Sequence, residues 1–164
     1  QACTDFVLNQ APWTEAKFLI TGANFGCGSS REHAVWGMRE LGIRCVLGIS
    51  FGGIFSDNCM RNGVPALVLP VAEVDRLMAL AMDPQRCQMA LDLAAQTLHT
   101  PADGQTLRFE MDPLHQEMLL RGLDAVGMSL THVQDIRNFE ARHLKANPWV
   151  VSPAATETNH GSLL

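Results

Sequence analysis

The sequence predicts an α/β fold with a mainly parallel central sheet and flanking helices. Three observations carry this. Apolar, β-branched runs alternate with helix-period runs from Lys17 to Asp83. The runs "IRCVLGISF" and "VPALVLP" are apolar throughout, as parallel strands buried on both faces are. A glycine-rich turn, "ANFGCGSSREHA" at 23–34, joins a strand to a helix.

In chain order, "KFLITG" reads as a strand ending in a turn. "REHAVWGMREL" reads as a helix whose inner face is Ala34, Val35, Met38 and Leu41, with Gly42 after its end. "IRCVLGISF" is the second strand, "GGIFSDNCMRNG" a short helix ending at Gly63, and "VPALVLP" the third strand. "AEVDRLMALAMD" is a helix stopped by Asp83-Pro84. The period then changes to two. "MALDL" and "TLRFEMD" alternate, and the Asp-Gly of "TPADGQ" between them predicts a hairpin. "DPLHQEMLLRG" is a helix with Asp112 as N-cap, Pro113 in its first turn and Gly122 past its end. Thr131 and Gln134 have capping-box spacing, which predicts a last helix running to about Lys145. No internal repeat is present. Residues 150–164 are expected to be a flexible C-terminal tail.

The chain has 164 residues and a net charge of −5. That length suits one domain with a tail. The charge supplies no basic footprint for nucleic acid or an anionic membrane surface. No apolar run approaches the ~20 residues that span a bilayer, and no signal-peptide pattern opens the chain. Cys3, Cys27, Cys45, Cys59 and Cys87 are odd in number and form no C-x-x-C pair. They point to reduced thiols and a cytoplasmic setting, and no metal-ligand spacing appears among them.

The glycine-rich turn supports two readings. Ser29-Ser30-Arg31-Glu32 matches S-x-x-E, so Ser29 could simply cap the following helix, with Gly26 and Gly28 as turn residues. Arg31 speaks for a second reading. A cation in the first turn of a helix opposes the helix dipole, and a bound anion would explain its presence. Its planar fork suits a carboxylate or phosphate. Nucleotide-binding and hydrolase patterns fail: there is no third glycine for G-x-G-x-x-G, no Walker lysine and no G-x-S-x-G elbow. A carboxylate-sized anion site beside a serine oxygen remains.

"NFGCGSSREHA", "SFGGIFSDNCMRNGVPALVLP" and "LLRGLDAVGMSLTH", with the lead-in "DFVLNQAPW", resemble the small subunits of bacterial 3-isopropylmalate dehydratase, the detached swivelling domain of the aconitase superfamily. The resemblance runs from about Asp5 to about Trp149. It implies an aconitase-type swivelling β/β/α domain over 1–149. It implies a hydro-lyase of leucine biosynthesis that interconverts 2- and 3-isopropylmalate through a bound alkene, active only with a large subunit. By this resemblance Ser29 is the general base, and Gly28, Ser30 and Arg31 bind a carboxylate of a small dicarboxylate substrate. His33 is read as structural. The resemblance places a 4Fe–4S cluster and its cysteine ligands in the large subunit, leaving no cofactor to this chain. Cys27 and Cys59 are then small packing residues. The chain opens on Gln1, and the family's N-terminal segment, with its substrate-recognition loop, is expected upstream of it. Two alternatives stay open: a related hydro-lyase subunit acting on citraconate, dimethylmaleate or homoaconitate, and a non-catalytic anion-binding module.

Overall fold

A computed structural model describes residues 3–150. The chain divides after Ala125 into two compact units.

The first unit holds two three-stranded sheets. In one, β1 (Phe18–Thr21), β2 (Cys45–Gly48) and β3 (Ala66–Val68) run parallel in that order. Phe18 pairs with Cys45 and Thr21 with Gly48, and Val46 to Gly48 pair with Ala66 to Val68. The crossovers are α1 (His33–Glu40) and α2 (Gly53–Arg61). β2 is buried along its whole length, as its unbroken apolar run requires. Cys45 and Leu47 enter one core cluster with Leu67, Leu69, Leu98 and Phe109, joined by Val74 and Leu77 of α3 (Val71–Ala81). Val46 points the other way, into a cluster of Val35, Ile43, Phe55, Cys59 and Val64. Each fully buried aliphatic side chain of this kind contributes about 1.5–3 kcal/mol.

The second sheet is antiparallel, so the parallel pairing expected holds for one of the two sheets: three strands are parallel and three are not. β4 (Ala90–Asp92), β5 (Thr97–Thr100) and β6 (Gln105–Arg108) form a meander. The expected hairpin paired the outer two strands and overlooked the one between them. "TLHT" carries a single apolar residue, Leu98, and its other inward residue is the fully buried Thr100. The Asp-Gly turn joins β5 to β6, with Gly104 at φ +68°. The turn before β5 uses Gln96 at φ +52° and an Asp92 carboxylate that accepts from the Ala95 amide at 2.9 Å.

Arg76 on α3 fastens that helix to the β5–β6 turn. It donates to Glu73 at 2.9 Å, to the Thr100 hydroxyl at 3.1 Å and to Asp103 at 2.6 Å. Thr100 in turn donates to Asp103 at 2.6 Å. That hydroxyl, the Gln105 amide and Arg76 hold the Asp103 carboxyl down at about 2.

Helix ends followed the sequence unevenly. α4 (Pro113–Arg121) is capped as expected: Asp112 accepts from the Leu114 and His115 amides, and Gly122 takes φ +63°. α1 also ends as expected, with Gly42 at φ +92° and the Ile43 amide reaching back to Met38. Its inner face is narrower than expected, because Val35 and Met38 turn inward while Ala34 and Leu41 are exposed.

The second unit is helical, with α5 (beginning at Ala125, Ala125–Leu130) and α6 (Val133–Ala146). The Thr131–Gln134 capping box does not form. His132 takes the N-cap position, Thr131 donates to the Met128 carbonyl at 2.6 Å, and Gln134 bonds Asn138. Pro148–Val150 form a short 3₁₀ turn, and the rest of the expected tail lies outside the described residues.

Candidate functional site

The glycine-rich turn leaves the carboxyl end of β1, the edge where open parallel sheets place their ligand sites. Phe25 continues the sheet past the strand proper. Its amide donates to the Ser50 carbonyl at 3.1 Å, and its carbonyl accepts from Gly52 at 2.8 Å. Beside it, the Asn24 amide donates to Ser50 Oγ at 2.8 Å, with Asn24 at φ +57°. The turns that follow β1 and β2 are thereby bonded to each other.

Two glycines make that approach possible. Gly26 has φ +80°, and a Cβ there would lie 2.2 Å from Phe55 Cγ. A Cβ on Gly52 would lie 3.1 Å from the Gly26 carbonyl oxygen. Phe55 packs directly against Gly26, edge-on to Phe25 with ring centroids 5.3 Å apart. The paired motifs "NFG" and "SFG" carried this pairing in the sequence, and the reading of the sequence missed it.

The four expected site residues, Gly28, Ser29, Ser30 and Arg31, are consecutive and all exposed. Ser29 and Ser30 line an open depression of about 250 Å³ with Gly26, Cys27, Gly52, Gly53, Ile54 and Phe55. Gly28 and Arg31 are not among its lining residues. Gly28 has open space where a Cβ would stand.

The capping box does not form. α1 starts at His33, two residues later than expected, and its N-cap position is Glu32, with no side-chain cap. Ser29 Oγ instead accepts from the Arg31 amide at 3.1 Å, two residues on. Arg31 therefore lies ahead of the helix, not in its first turn. The Glu32 carboxylate turns toward α2 and accepts from Asn62 at 2.6 Å. His33 is exposed and rests against Trp36, ring centroids 4.7 Å apart.

Cys59 is buried, as a packing residue is, but Cys27 is exposed at the depression, contrary to expectation. Burial pushes the Cys59 thiol up to about 12, and burial with Cys59 nearby does the same to Cys45. Such thiols resist becoming the thiolates that metals need. Among the described residues, no three His, Cys, Asp or Glu side chains converge as they would to hold a metal. No helix of the described residues is long and apolar enough to cross a membrane.

Residues 1–72 match the family described as the aconitase C-terminal domain. A 3-isopropylmalate dehydratase small subunit 1 of Mannheimia succiniciproducens is 48% identical over 145 residues, covering 88% of this chain and 71% of that protein. A 3-isopropylmalate dehydratase small subunit of Dinoroseobacter shibae is 48% identical over 146 residues, covering 89% of this chain and 72% of that protein. Among solved structures, 3-isopropylmalate dehydratase (LeuD) from Methanocaldococcus jannaschii aligns with a TM-score of 0.56 at 24% identity, over 76% of this chain and 70% of that one, and so shares the fold. With nearly half its residues shared across most of its length, this chain belongs to the family of 3-isopropylmalate dehydratase small subunits.

Proposed function

We propose that the chain works as the small subunit of a 3-isopropylmalate dehydratase. It isomerises 2-isopropylmalate to 3-isopropylmalate by dehydration and rehydration, within leucine biosynthesis in the cytoplasm. Residues 1–149 serve as its swivelling domain and 150–164 as a tail. The observation that carries the reading is the exposed Gly28–Arg31 turn, on a chain 48% identical to small subunits of that enzyme.

An exposed half-site needs a second wall, and a large-subunit partner supplies it. A 4Fe–4S cluster held by that partner would supply Lewis-acid chemistry at the substrate hydroxyl. This chain supplies the proton acceptor and a carboxylate clamp. Arg31 presents a bidentate fork to one substrate carboxylate, Ser30 adds a hydroxyl, and Gly28 lets the backbone come close to it. Ser29, as alkoxide, takes the proton from the carbon next to a carboxylate and becomes the neutral alcohol; the C–H electron pair forms the alkene, and the hydroxyl of the neighbouring carbon departs as water with a proton from a general acid in the partner. A serine hydroxyl is ordinarily too weak an acid for this. The Arg31 amide already donates to Ser29 Oγ, and that bond, with the guanidinium of Arg31 nearby in sequence, favours the anion.

Reconstitution with a large subunit tests the proposal. The purified chain alone is expected to give no turnover, and the pair is expected to convert 2-isopropylmalate in preference to citraconate, dimethylmaleate or homoaconitate. Turnover by the chain alone, or a pair indifferent to isopropylmalate, contradicts it.

A further inference from the structure

The Ser29–Arg31 turn is anchored at its far end on α2. Asn62, at the C-cap of α2, donates through Nδ2 to Glu32 Oε1 at 2.6 Å and to the Asn58 carbonyl at 2.8 Å. Its Oδ1 accepts from Trp36 Nε1 at 3.0 Å. The amide is thus used on both sides. It joins the end of α2 to the start of α1, where the Glu32 carbonyl accepts from the Val35 and Trp36 amides. Glu32 is the residue after Arg31. Because Arg31 lies outside the helix, the two side chains are not splayed apart by helical geometry. Among the described residues, Arg31 makes no ion pair. A carboxylate that adjoins an unpaired guanidinium in sequence, yet is tied to a neutral amide 30 positions along, is held out of the pairing that charge alone would favour.

We propose that Asn62 is a positioning residue for Arg31. It holds the Glu32 carboxylate on α2, away from the guanidinium, and so leaves Arg31 open to a carboxylate of the substrate. This rests on the reading of Ser29–Arg31 as a carboxylate site. With Asn62 gone, Glu32 competes with substrate for the same fork. A guanidinium so occupied for nine-tenths of the time lowers apparent affinity about tenfold. The effect falls on KM, because the proton acceptor is untouched.

Asn62→Ala in the reconstituted pair is expected to raise KM for isopropylmalate about tenfold and to leave kcat within about twofold. Asn62→Ala combined with Glu32→Gln removes the competing charge without restoring the tether, and KM is expected to return to within about twofold of the parent. Asn62→Ser, a smaller lesion, is expected to move KM the same way should the alanine variant fold poorly. An unchanged KM in Asn62→Ala overturns the proposal. So does an equal rise in the single and double variants, which would mean a purely structural tether. If the parent pair does not act on isopropylmalate, the functional reading fails, and the Arg31 Nε–H NMR signal of the full chain decides this inference independently. The signal is expected to shift in Asn62→Ala and to revert in the double variant. No shift overturns the proposal.

Discussion

Arg76 and Arg31 are each accompanied by a hydroxyl residue and a carboxylate, and they use them in opposite ways. Arg76 has its partners bonded. Glu73, Thr100 and Asp103 close around it, and Thr100 donates to Asp103 in turn. Arg31 has Ser29 and Glu32 as near neighbours, but Ser29 bonds its backbone amide and Glu32 is tied to Asn62. The first arginine staples α3 to a turn. The second is exposed, with its fork unspent on acidic side chains among the described residues. An arginine with its carboxylates in place gains stability from them. One whose carboxylate is drawn off is ready for a carboxylate from outside.

Substitutions can break this contrast. Ser29→Ala carries the largest expected effect: kcat of the reconstituted pair falls by roughly 10²–10⁴, the usual worth of a positioned proton acceptor. The melting curve should move little, since an exposed side-chain-to-amide bond contributes about 1 kcal/mol or less. Kinetics at a temperature where the variant is folded, alongside its melt, separate the two. Arg31→Lys comes next. It keeps the charge and loses the fork, and is expected to cost about 2–4 kcal/mol of apparent transition-state binding in kcat/KM with an unchanged melt. Arg76→Lys is the mirror image. It cannot reach three acceptors at once, and is expected to lower the melting temperature by roughly 2–4 °C with unchanged kinetics. The smallest effect is acidic. The Asp103 carboxyl is held at about 2, below its ordinary 3.8, first by Thr100 and then by the Gln105 amide and Arg76. Its contribution is therefore fully present above about 3.8 and is lost as pH falls through about 2. Acid titration of the melt should show a step in that window that Asp103→Asn removes.

Much of this layout was legible in the sequence, and the failures have physical causes. Continuous apolar runs located β2 and β3 and "KFLITG" located β1, although only β2 is buried throughout and Val68 of β3 is exposed. Asp112, Pro113 and Gly122 bounded α4, because each acts through its own backbone geometry. β5 was missed, since its inward Thr100 is polar and held by Arg76 and Asp103, a long-range network that no local pattern reveals. Both capping boxes failed for a related reason. S-x-x-E and T-x-x-Q identify residues able to cap, but Glu32 found Asn62 and Thr131 found Met128. At the site, Arg31 stood out by its type beside a serine able to cap, and the resemblance to a family supplied the rest of the run Gly28–Arg31 as an expectation. The support of that run was not legible, because Phe25 and Gly26 meet Gly52 and Phe55 from the far side of the α1 crossover.

Equilibrium binding of 3-isopropylmalate to the reconstituted pair carrying Ser29→Ala, which holds the ligand without consuming it, tests the central claim most directly. The measurement compares Arg31 with Arg31→Lys in that background. A free guanidinium fork that holds a substrate carboxylate predicts an affinity at least about tenfold weaker with lysine, since losing a charge-paired contact costs more than the ~1.4 kcal/mol that tenfold represents. Equal affinities would contradict it, and would leave Arg31 as a solvated surface charge on a turn that only connects a strand to a helix.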